Sequence, residues 1–351
     1  MSSGRKIGNW HERAAEMVDV VGSEAAQRAG ERAEKYAADQ TGAAAKSHDK
    51  GSERVAAKAP RPDAGGEPTL ARVHVEGTTR VIGILGDPVE HTLSPRMHNA
   101  AYAALGLDFV YVPFHAPRKR LREAVHALDS LGIAGLNVTV PYKEEAAKLV
   151  ERLTDTAKAI GAVNTIYRDG GKIVGDNTDA EGFHQALVAN EFRVRARRVL
   201  VIGAGGSARA VLHALVKHGA ADIVIANRTV AKARKLARQF AAGRGPIRVA
   251  DLDILDNFDF LPSRQLVINC TPVGLKGGAF LDYSVENTPA DCLHFDLAYR
   301  SGLTPFLEAA RKAGRPVLDG RHMLVHQGAA AFRHFTGKKA PVEVMLRAVG
   351  L

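Results

Sequence analysis

The chain has 351 residues, of which 46% are hydrophobic and 25% are charged, and both proportions are ordinary for globular proteins. This length predicts two domains with separate hydrophobic cores. The two cysteines, Cys270 and Cys292, exclude a disulfide framework, and no stretch approaches the roughly 18 apolar residues of a membrane span. We therefore expect a cytoplasmic protein with reduced thiols, no metal site and no membrane anchor.

The formal net charge of +10 is unevenly distributed along the chain. Residues 1–70 contain 11 Lys or Arg and 11 Asp or Glu, so the whole excess lies in residues 71–351. Part of the excess clusters in RVRARR (193–198) and KARKLAR (232–238). A basic domain can attract nucleic acid but equally suits small anionic ligands, and these clusters contain no aromatic residue on which a base could stack. A nucleic-acid partner is therefore not expected.

Residues 1–75 differ in composition from the rest of the chain. They are rich in Ala, Gly, Lys and Glu, contain few large apolar residues and include APRPDAGGEP (59–68). Such a segment cannot bury enough apolar surface to offset the entropy lost on ordering. We predict a disordered extension, and one interpretation is that it precedes the true translation start.

From residue 79 onward, short apolar runs alternate with helical patterns. The predicted elements are a strand at 80–86, a helix at 94–107, a strand at 109–116, a helix at 118–132, the strand LNVTV (136–140) and a helix at 144–153. A second series of this kind begins at RRVLVIGAGG (197–206). Alternation of strands and helices predicts an α/β protein with mostly parallel sheets covered on both faces.

The second series opens with a dinucleotide-binding pattern. A buried strand at 199–202 leads through the turn 203–206 into a helix at 207–218, and the spacing Gly203-x-Gly205-x-x-Ala208 fits the fingerprint with its permitted final Ala. Gly203 allows the tight turn, and Gly205 lets backbone amides approach a pyrophosphate at the start of the helix. Because strand, turn and helix follow one another in the required order, we predict a dinucleotide site here.

The end of the next strand, ADIVIAN (221–227), bears on which dinucleotide is bound. An acidic residue there would bind the adenosine ribose hydroxyl and repel a 2′-phosphate. The chain instead offers Asn227, Arg228 and Thr229, with Lys232 one turn further on. Arginine makes bidentate bonds to phosphate, so the pattern favours NADP(H), although it also fits a solvated basic helix start with Thr229 as its N-cap.

The segment NVTVPYK (137–143) places polar groups where a strand ends. Asn137 and Thr139 share one face of the predicted strand, Pro141 terminates it, and Lys143 follows. Other short polar residues hold comparable positions in the sequence: Thr92, Ser94, Asn164 and Asp179. Each alone also fits a helix cap or a turn. Since ligands of open α/β sheets lie beyond the carboxyl ends of the strands, the set together predicts a site for a polyol.

Hydride transfer between an alcohol and NADP requires a group that moves a proton at the oxygen. Lys143 can take this role if Asp179 lies beside it and holds the amine in place. His91 and His98 are rival bases, but His98 falls inside a predicted helix, where packing or capping is the more ordinary role. Lys143 is preferred.

From about residue 79 to the C-terminus, the chain resembles the shikimate/quinate dehydrogenase family. The resemblance is carried in the family's order by GDPVEHTLSPRMHN (86–99), GLNVTVPYKEE (135–145), GAVNTI (161–166), GDNTDAEGF (175–183), GAGGSARA (203–210), NRT (227–229), INCTPVG (268–274) and DGRHMLVHQGAAAF (319–332). It implies two α/β domains with a cleft between them, and reduction of 3-dehydroshikimate to shikimate with NADPH on the route to chorismate and aromatic amino acids.

The resemblance also implies roles for individual residues. Lys143 matches the catalytic lysine and Asp179 its partner acid. Substrate contacts are implied for Thr92, Ser94, Asn137, Thr139, Asn164, Tyr299 and Gln327. Contacts to NADP(H) are implied for Gly203, Ala204, Gly205, Gly206, Ser207, Asn227, Arg228, Thr229, Lys232, Leu297 and Gly320. The implied domains are residues 76–178 with 320–351 for substrate binding and catalysis, and residues 179–319 as the Rossmann NADP-binding domain, so the C-terminal helices should pack back onto the first domain.

Several alternatives stay open. Thr92 replaces the first serine of the family's usual Ser-x-Ser pair, which leaves quinate or amino-substituted substrates possible. The alternative enzyme is a quinate/shikimate dehydrogenase that uses NAD(H), and a different class is a relative that senses the metabolite without turnover. The chain lacks the length for a fused dehydroquinate dehydratase, so a monofunctional enzyme is expected. The sequence does not fix the oligomeric state, for which a homodimer is one option.

Overall fold

The computed structural model describes residues 74–241, 247–275 and 278–351. All but the last two residues of the predicted disordered extension, 1–75, lie outside these ranges. The described residues form two six-stranded sheets with helices packed against them. The predicted fold class, α/β with mostly parallel sheets, is confirmed.

The first sheet has the strand order β2-β1-β3-β5-β6-β4. Its strands are β1 (Arg80–Gly86), β2 (Phe109–His115), β3 (Gly135–Val138), β4 (Arg152–Leu153), β5 (Thr165–Asp169) and β6 (Lys172–Asp176). The helices of this series are α1 (Ser94–Ala104), α2 (Leu121–Ser130), α3 (Lys143–Ala146), α4 (Asp155–Ile160) and α5 (Asp179–Ala189). Strand β1 pairs in parallel with β2 and β3, whereas β5 runs antiparallel to both β3 and β6.

Local signals explain most of these boundaries. The apolar run of β1 is buried from Ile82 onward, as expected for a strand covered on both faces. Pro95 lies in the first turn of α1, where its missing N–H costs no helical hydrogen bond. The Thr154 hydroxyl accepts a hydrogen bond from the Ala157 amide and caps α4.

Two predicted elements of the first series have the wrong extent. The helix expected at 144–153 ends at Ala146, and residues 152–153 instead pair with β6 as the edge strand β4. The Glu151 amide already bonds the Ile173 carbonyl at 3.0 Å, so pairing with a distant strand outweighs the local helical pattern. The strand expected at 136–140 ends at Val138, and Val140 is 59% exposed.

The second sheet is parallel throughout, with the order β12-β11-β10-β7-β8-β9. Its strands are β7 (Arg198–Ile202), β8 (Asp222–Ala226), β9 (Arg248–Ala250), β10 (Leu266–Asn269), β11 (Leu293–Asp296) and β12 (Val317–Asp319). The helices are α6 (Gly206–Lys217), α7 (Val230–Phe240) and α8 (Pro305–Lys312). Short 3₁₀-helices occur at Arg118–Arg120, Leu252–Asp256, Leu261–Ser263 and Val285–Asn287. The order reverses beside β7, which is where open α/β sheets bind ligands.

The chain ends with α9 (Gly320–Thr336) and α10 (Val342–Ala348), which pack against the first sheet. Phe332 and Phe335 share one hydrophobic cluster with Ile82 and Tyr102. Helix α9 also approaches α5 closely at Gly182, which has no side chain. A Cβ added there would lie only 2.5 Å from Cβ of Gln327. This contact brings Gln327 next to the start of α5. Among the residues described, the structure contains no helix with the length and apolar character to span a membrane.

Candidate active site

Lys143 and Asp179 form an ion pair at the edge of the first sheet. Lys143 is the first residue of α3, shortly after β3 ends, and Asp179 is the first residue of α5. The Lys143 Nζ lies 2.6 Å from Asp179 Oδ2, and the two side chains are 17% and 6% exposed. A carboxylate in the first turn of a helix is favoured by the helix dipole. The amine is thus held by a buried acid while part of it stays accessible, as the sequence predicted.

Asn164 connects this pair to α9. Its Nδ2 lies 2.8 Å from Asp179 Oδ1 and 3.2 Å from Gln327 Oε1. Its Oδ1 accepts a hydrogen bond from the Thr178 amide at 2.8 Å. The structure therefore brings together four of the sequence-predicted site residues, Lys143, Asp179, Asn164 and Gln327.

Asn137 lies beneath these residues, and both ends of its amide are already engaged. Its Oδ1 accepts a hydrogen bond from the Tyr111 hydroxyl at 2.8 Å. Its Nδ2 donates to the Asn164 carbonyl at 3.0 Å and lies 3.1 Å from Thr165 Oγ1. At 5% exposure, Asn137 supports the walls of the site from behind. Its direct contact with substrate stays a prediction.

Sequence reasoning missed Tyr111, Thr165 and Thr178, which all join this buried network. Thr178 Oγ1 lies 3.0 Å from Asn164 Nδ2 and 3.2 Å from Thr165 Oγ1. Thr165 belongs to GAVNTI and Thr178 to GDNTDAEGF. A polar residue next to a predicted site residue does not reveal from sequence alone whether its side chain faces the site. Tyr111 carries a hydroxyl within a buried strand, and such a hydroxyl usually has a partner. A tyrosine in a buried strand therefore indicates an internal hydrogen bond, but it does not identify Asn137 as the partner.

Thr92 and Ser94 lie together before and at the start of α1. The Thr92 hydroxyl accepts from the Ser94 amide and lies 3.2 Å from Ser94 Oγ. Tyr299 follows β11 of the second sheet and is partly exposed. Burial raises the pKa of its hydroxyl, while hydrogen bonds to Leu93 and Thr92 oppose the rise. Three predicted residues, one of them from the second series, thus meet at a second end of the site.

Thr139 follows the end of β3 and is partly exposed. Its amide donates to the Leu85 carbonyl at 2.9 Å, and its methyl group lies against Gly86, where an added Cβ would come within 2.4 Å. The backbone of Thr139 therefore continues the β1 pairing one residue beyond the strand. No hydrogen bond of its hydroxyl is present within the described part of the chain.

The rival bases occupy different environments. His91 is exposed, whereas His98 is fully buried in α1 and stacks on the Tyr111 ring with centroids 4.4 Å apart. Burial lowers the pKa of His98 to about 3. The packing role expected for His98 is confirmed, and an enclosed imidazole cannot exchange a proton with a ligand.

The glycine turn follows β7 and opens onto the start of α6. Gly203 adopts φ 104°, and a Cβ there would lie 2.8 Å from Thr271 Cγ2, so both conformation and space require glycine. A Cβ added at Gly205 or Gly206 would meet nothing within 4 Å, and no side chain caps α6. The free amides of its first turn fit a pyrophosphate group.

The segment after β8 lies next to the glycine turn, because β8 pairs in parallel with β7 and the two strands end at the same edge of the sheet. Asn227 Nδ2 donates to the Thr229 carbonyl at 2.9 Å, which shapes the loop into α7. Arg228 and Lys232 are exposed. Thr229 holds the N-cap position of α7, but its side chain makes no capping hydrogen bond. Both cations are therefore accessible to a phosphate group.

Leu297 and Gly320 lie beyond the carboxyl ends of β11 and β12. A Cβ at Gly320 would lie 2.3 Å from the Leu297 carbonyl oxygen, so the two backbones touch at the start of α9. This edge faces the same direction as the glycine turn because all six strands are parallel. Within residues 74–241, 247–275 and 278–351, no group of His, Cys, Asp or Glu has the arrangement of a metal site.

Comparison with known proteins gives three family matches along the chain. Residues 84–166 match the shikimate dehydrogenase substrate binding domain, residues 186–272 match shikimate/quinate 5-dehydrogenase, and residues 320–349 match the shikimate 5′-dehydrogenase C-terminal domain.

Individual relatives match over nearly their whole length. Shikimate dehydrogenase (NADP(+)) of Methanopyrus kandleri is 45% identical over 79% of this chain and 97% of its own, and that of Carboxydothermus hydrogenoformans is 40% identical over 80% and 99%. The crystal structure of shikimate 5-dehydrogenase from Thermus thermophilus in complex with NADP(H) and shikimate is 34% identical, with a TM-score of 0.69, covering 77% of this chain and 98% of that one.

Proposed function

The chain belongs to the shikimate/quinate dehydrogenase family, and from this premise we propose that it is an NADP-dependent shikimate dehydrogenase. It interconverts 3-dehydroshikimate and shikimate on the route to chorismate and the aromatic amino acids. The observation that carries the proposal is the Lys143–Asp179 pair, joined to Asn164 and Gln327 at the edge of the first sheet.

Lys143 moves the proton in this reaction. When bound, NADPH supplies the hydride that reduces the carbonyl carbon. The Lys143 ammonium donates a proton to the carbonyl oxygen, which becomes the hydroxyl of shikimate, and the amine accepts that proton back in the oxidation. Asp179 holds Nζ at 2.6 Å and is itself fixed through Asn164. Acid–base catalysis by a positioned group of this kind contributes roughly 10²–10⁴-fold.

The remaining polar residues recognise the substrate. We assign the Thr92 and Ser94 hydroxyls to the carboxylate, because they converge in front of the first turn of α1, and the helix dipole favours an anion there. Tyr299 closes this end from the second series. Asn164, Gln327 and Thr139 are assigned to the ring hydroxyls, beside Lys143. Asn137 holds the Asn164 segment in place from behind.

The two sheets divide the work between substrate and cofactor. We assign residues 76–178 with 320–351 to substrate binding and catalysis, since α9 and α10 pack with the first sheet. Residues 179–319 bind NADP(H). The pyrophosphate would be held by Gly203, Ala204, Gly205, Gly206 and Ser207, and the 2′-phosphate by Asn227, Arg228, Thr229 and Lys232. Leu297 and Gly320 lie beyond the carboxyl ends of β11 and β12 and would contact the cofactor there.

Replacing the proposed acid–base is the direct test. We expect Lys143→Ala to lower kcat for NADP⁺ reduction with shikimate by roughly 10²-fold or more. Lys148→Ala is the matched control, because Lys148 is exposed and lies five residues further along the same segment. Equal activity of Lys143→Ala and the wild type would show that the acid–base assignment is wrong.

A panel of substrates and cofactors tests specificity. Comparison of kcat/KM for shikimate and quinate, each with NADP⁺ and NAD⁺, separates the proposal from a quinate/shikimate dehydrogenase that uses NAD(H). A strong preference for NAD⁺ would overturn the assignment of Arg228. Absence of turnover, combined with tight and salt-sensitive DNA binding, would favour the non-catalytic sensing relative.

Two further assignments accompany the proposal. The two free thiols, Cys270 and Cys292, support a cytoplasmic location. A homodimer is the assembly to test first, and light scattering at several protein concentrations measures it directly.

A further inference from the structure

A basic cavity lies at the opposite end of α6 from the glycine turn. It has a volume of about 490 Å³ and is lined by His184, Arg193, Val194, Arg195, Lys217, His218 and Gly219. None of these lining residues is acidic. Because α6 is a 12-residue helix, its two ends are roughly 16 Å apart, so the cavity is separate from the proposed cofactor site.

The RVRARR motif supplies two of the cations. Val194 is 2% exposed and points into the core, whereas Arg193 and Arg195 on either side of it are exposed. The segment is bounded by left-handed residues that are not glycine, Glu191 at φ 59° and Ala196 at φ 62°. Such backbone conformations cost free energy, and they persist where the surroundings hold them.

The same segment is fastened to the far end of α6. The Ala196 amide donates to the Gly219 carbonyl at 2.8 Å, and Arg195 Cγ lies 3.8 Å from the position of a Cβ on Gly219. The backbone that carries the two arginines is therefore attached to the end of α6, next to Lys217. Within the described residues, neither arginine nor Lys217 forms a salt bridge with a carboxylate.

Two stacked imidazoles form the wall of the cavity. The rings of His184 and His218 lie with centroids 3.4 Å apart and planes 4° apart. Burial is the main cause that lowers the pKa of both, to about 4 for His218, with Lys217 adding to the effect. Neutral rings can stack face to face, and each keeps one N–H donor. His184 Nδ1 is buried without a hydrogen-bond partner among the described residues.

Two acidic residues line a neighbouring cavity and have other partners. Asp176 and Glu181 line a smaller space of about 260 Å³, which shares His184, Lys217 and His218 with the basic cavity. Asp176 Oδ2 lies 3.0 Å from His334 Nε2, and Glu181 lies 3.8 Å from Arg333. Among the residues that line the basic cavity, Arg193, Arg195 and Lys217 carry positive charge and none carries negative charge.

We propose that this cavity binds a small phosphate-bearing anion. Three cations line one space, and a phosphate dianion can be shared among them, whereas a single carboxylate neutralises only one of them. The planar guanidinium groups of Arg193 and Arg195 match pairs of phosphate oxygens, Lys217 adds a point charge, and the ring N–H of His218 can donate. The volume admits a phosphoryl group together with a small organic part.

Calorimetric titration of the full chain with inorganic phosphate, at neutral pH and constant ionic strength, tests the proposal. We expect saturable binding that Arg195→Gln weakens about tenfold or more. Arg198→Gln is the matched control, since Arg198 belongs to the same RVRARR run but does not line the cavity, and it should change Kd less than about twofold. Equal Kd values in all three proteins would overturn the proposal.

A third variant separates this cavity from the cofactor turn. If Arg228→Gln abolishes phosphate binding while Arg195→Gln leaves it intact, the anion lies at the cofactor site and the proposal is wrong. Histidine side-chain NMR gives a second measurement, in which phosphate should shift the His184 and His218 signals and leave those of His98 unchanged. These experiments do not depend on dehydrogenase activity, so they stand or fall separately from the proposed function.

Discussion

His98 links the protein's stability to pH in a way that can be calculated. It is fully buried, and neither ring nitrogen has a hydrogen-bond partner among the residues that the structure describes. Burial lowers its pKa from 6.5 to about 3. Protonating His98 in the folded protein would place an unpaired charge in the cluster of Met97, Tyr102 and Phe332.

The sign of the effect follows from the two pKa values. Between about pH 6.5 and pH 3 the unfolded chain binds a proton at His98 that the folded protein does not. Acid therefore favours unfolding across this window, and the full contribution to stability is present only above about pH 6.5. One pKa unit is worth about 1.4 kcal/mol, so at about pH 5 the free energy of unfolding should be about 2 kcal/mol lower from this residue alone.

Urea unfolding followed by far-UV circular dichroism, repeated between about pH 5 and pH 8, measures the dependence. His98→Phe removes the titrating group but keeps an aromatic ring on Tyr111. Between about pH 8 and pH 5, the unfolding free energy of this variant should fall by about 2 kcal/mol less than that of the wild type. The comparison uses the change with pH, so a constant packing cost cancels, as do the contributions of His218 and His294, which both proteins retain. His91→Gln, at an exposed position, is the control. If wild type and His98→Phe lose the same stability between these pH values, the linkage argument is refuted.

Three further substitutions test separate contacts of the candidate site. Tyr111→Phe removes the donor to Asn137 Oδ1 at 2.8 Å and should raise KM for shikimate roughly tenfold, from a loss of about 1–2 kcal/mol; an unchanged KM in steady-state kinetics would contradict the positioning role. Arg209→Ala breaks the 3.2 Å contact with Glu144, the neighbour of the proposed catalytic lysine, and should lower kcat several-fold while the Kd of NADP⁺ stays within about threefold. A double-mutant cycle with Glu144→Gln checks this, and simple additivity would exclude the coupling. Arg228→Ala should raise KM for NADP⁺ about tenfold or more and leave KM for NAD⁺ within about twofold, and equal effects on both cofactors would remove Arg228 from the 2′-phosphate site.

Features with a local cause were predictable from the sequence. The strand before Gly203 and the strand at 80–86 read as continuous apolar runs because both are buried in sheets covered on two faces. The pairing of Lys143 with Asp179 followed from strand-end positions, since polar residues at the same edge of a sheet lie close together.

Features that depend on distant pairing were not predictable. Residues 144–153 have a helical pattern, yet Arg152 and Leu153 pair with β6 because that strand has an open edge. The orientation of Asn137 depends on Tyr111, which lies 26 residues away along the chain. The stacking of His184 on His218 depends on how α5 packs against α6, and neither motif contains a sign of it.

The hydrogen-bond count of Asn164 gives a physical reason why this site suits a ligand with hydroxyl groups. Its Nδ2 has two hydrogens but three acceptors within reach: Thr178 at 3.0 Å, Asp179 at 2.8 Å and Gln327 at 3.2 Å. One of these acceptors must therefore lack a proton at any moment, and Gln327 Oε1, at the longest distance, is the weakest of the three. Gln327 Nε2 already donates to the Leu324 carbonyl, so Gln327 cannot turn its amide over without losing that bond. A ligand hydroxyl beside Lys143 can donate to the spare acceptor, whereas an apolar group there would leave it unsatisfied at a cost of about 1–3 kcal/mol. Preference for a polyol thus arises from the shortage of donors in the buried network, in addition to the direct contacts with the substrate.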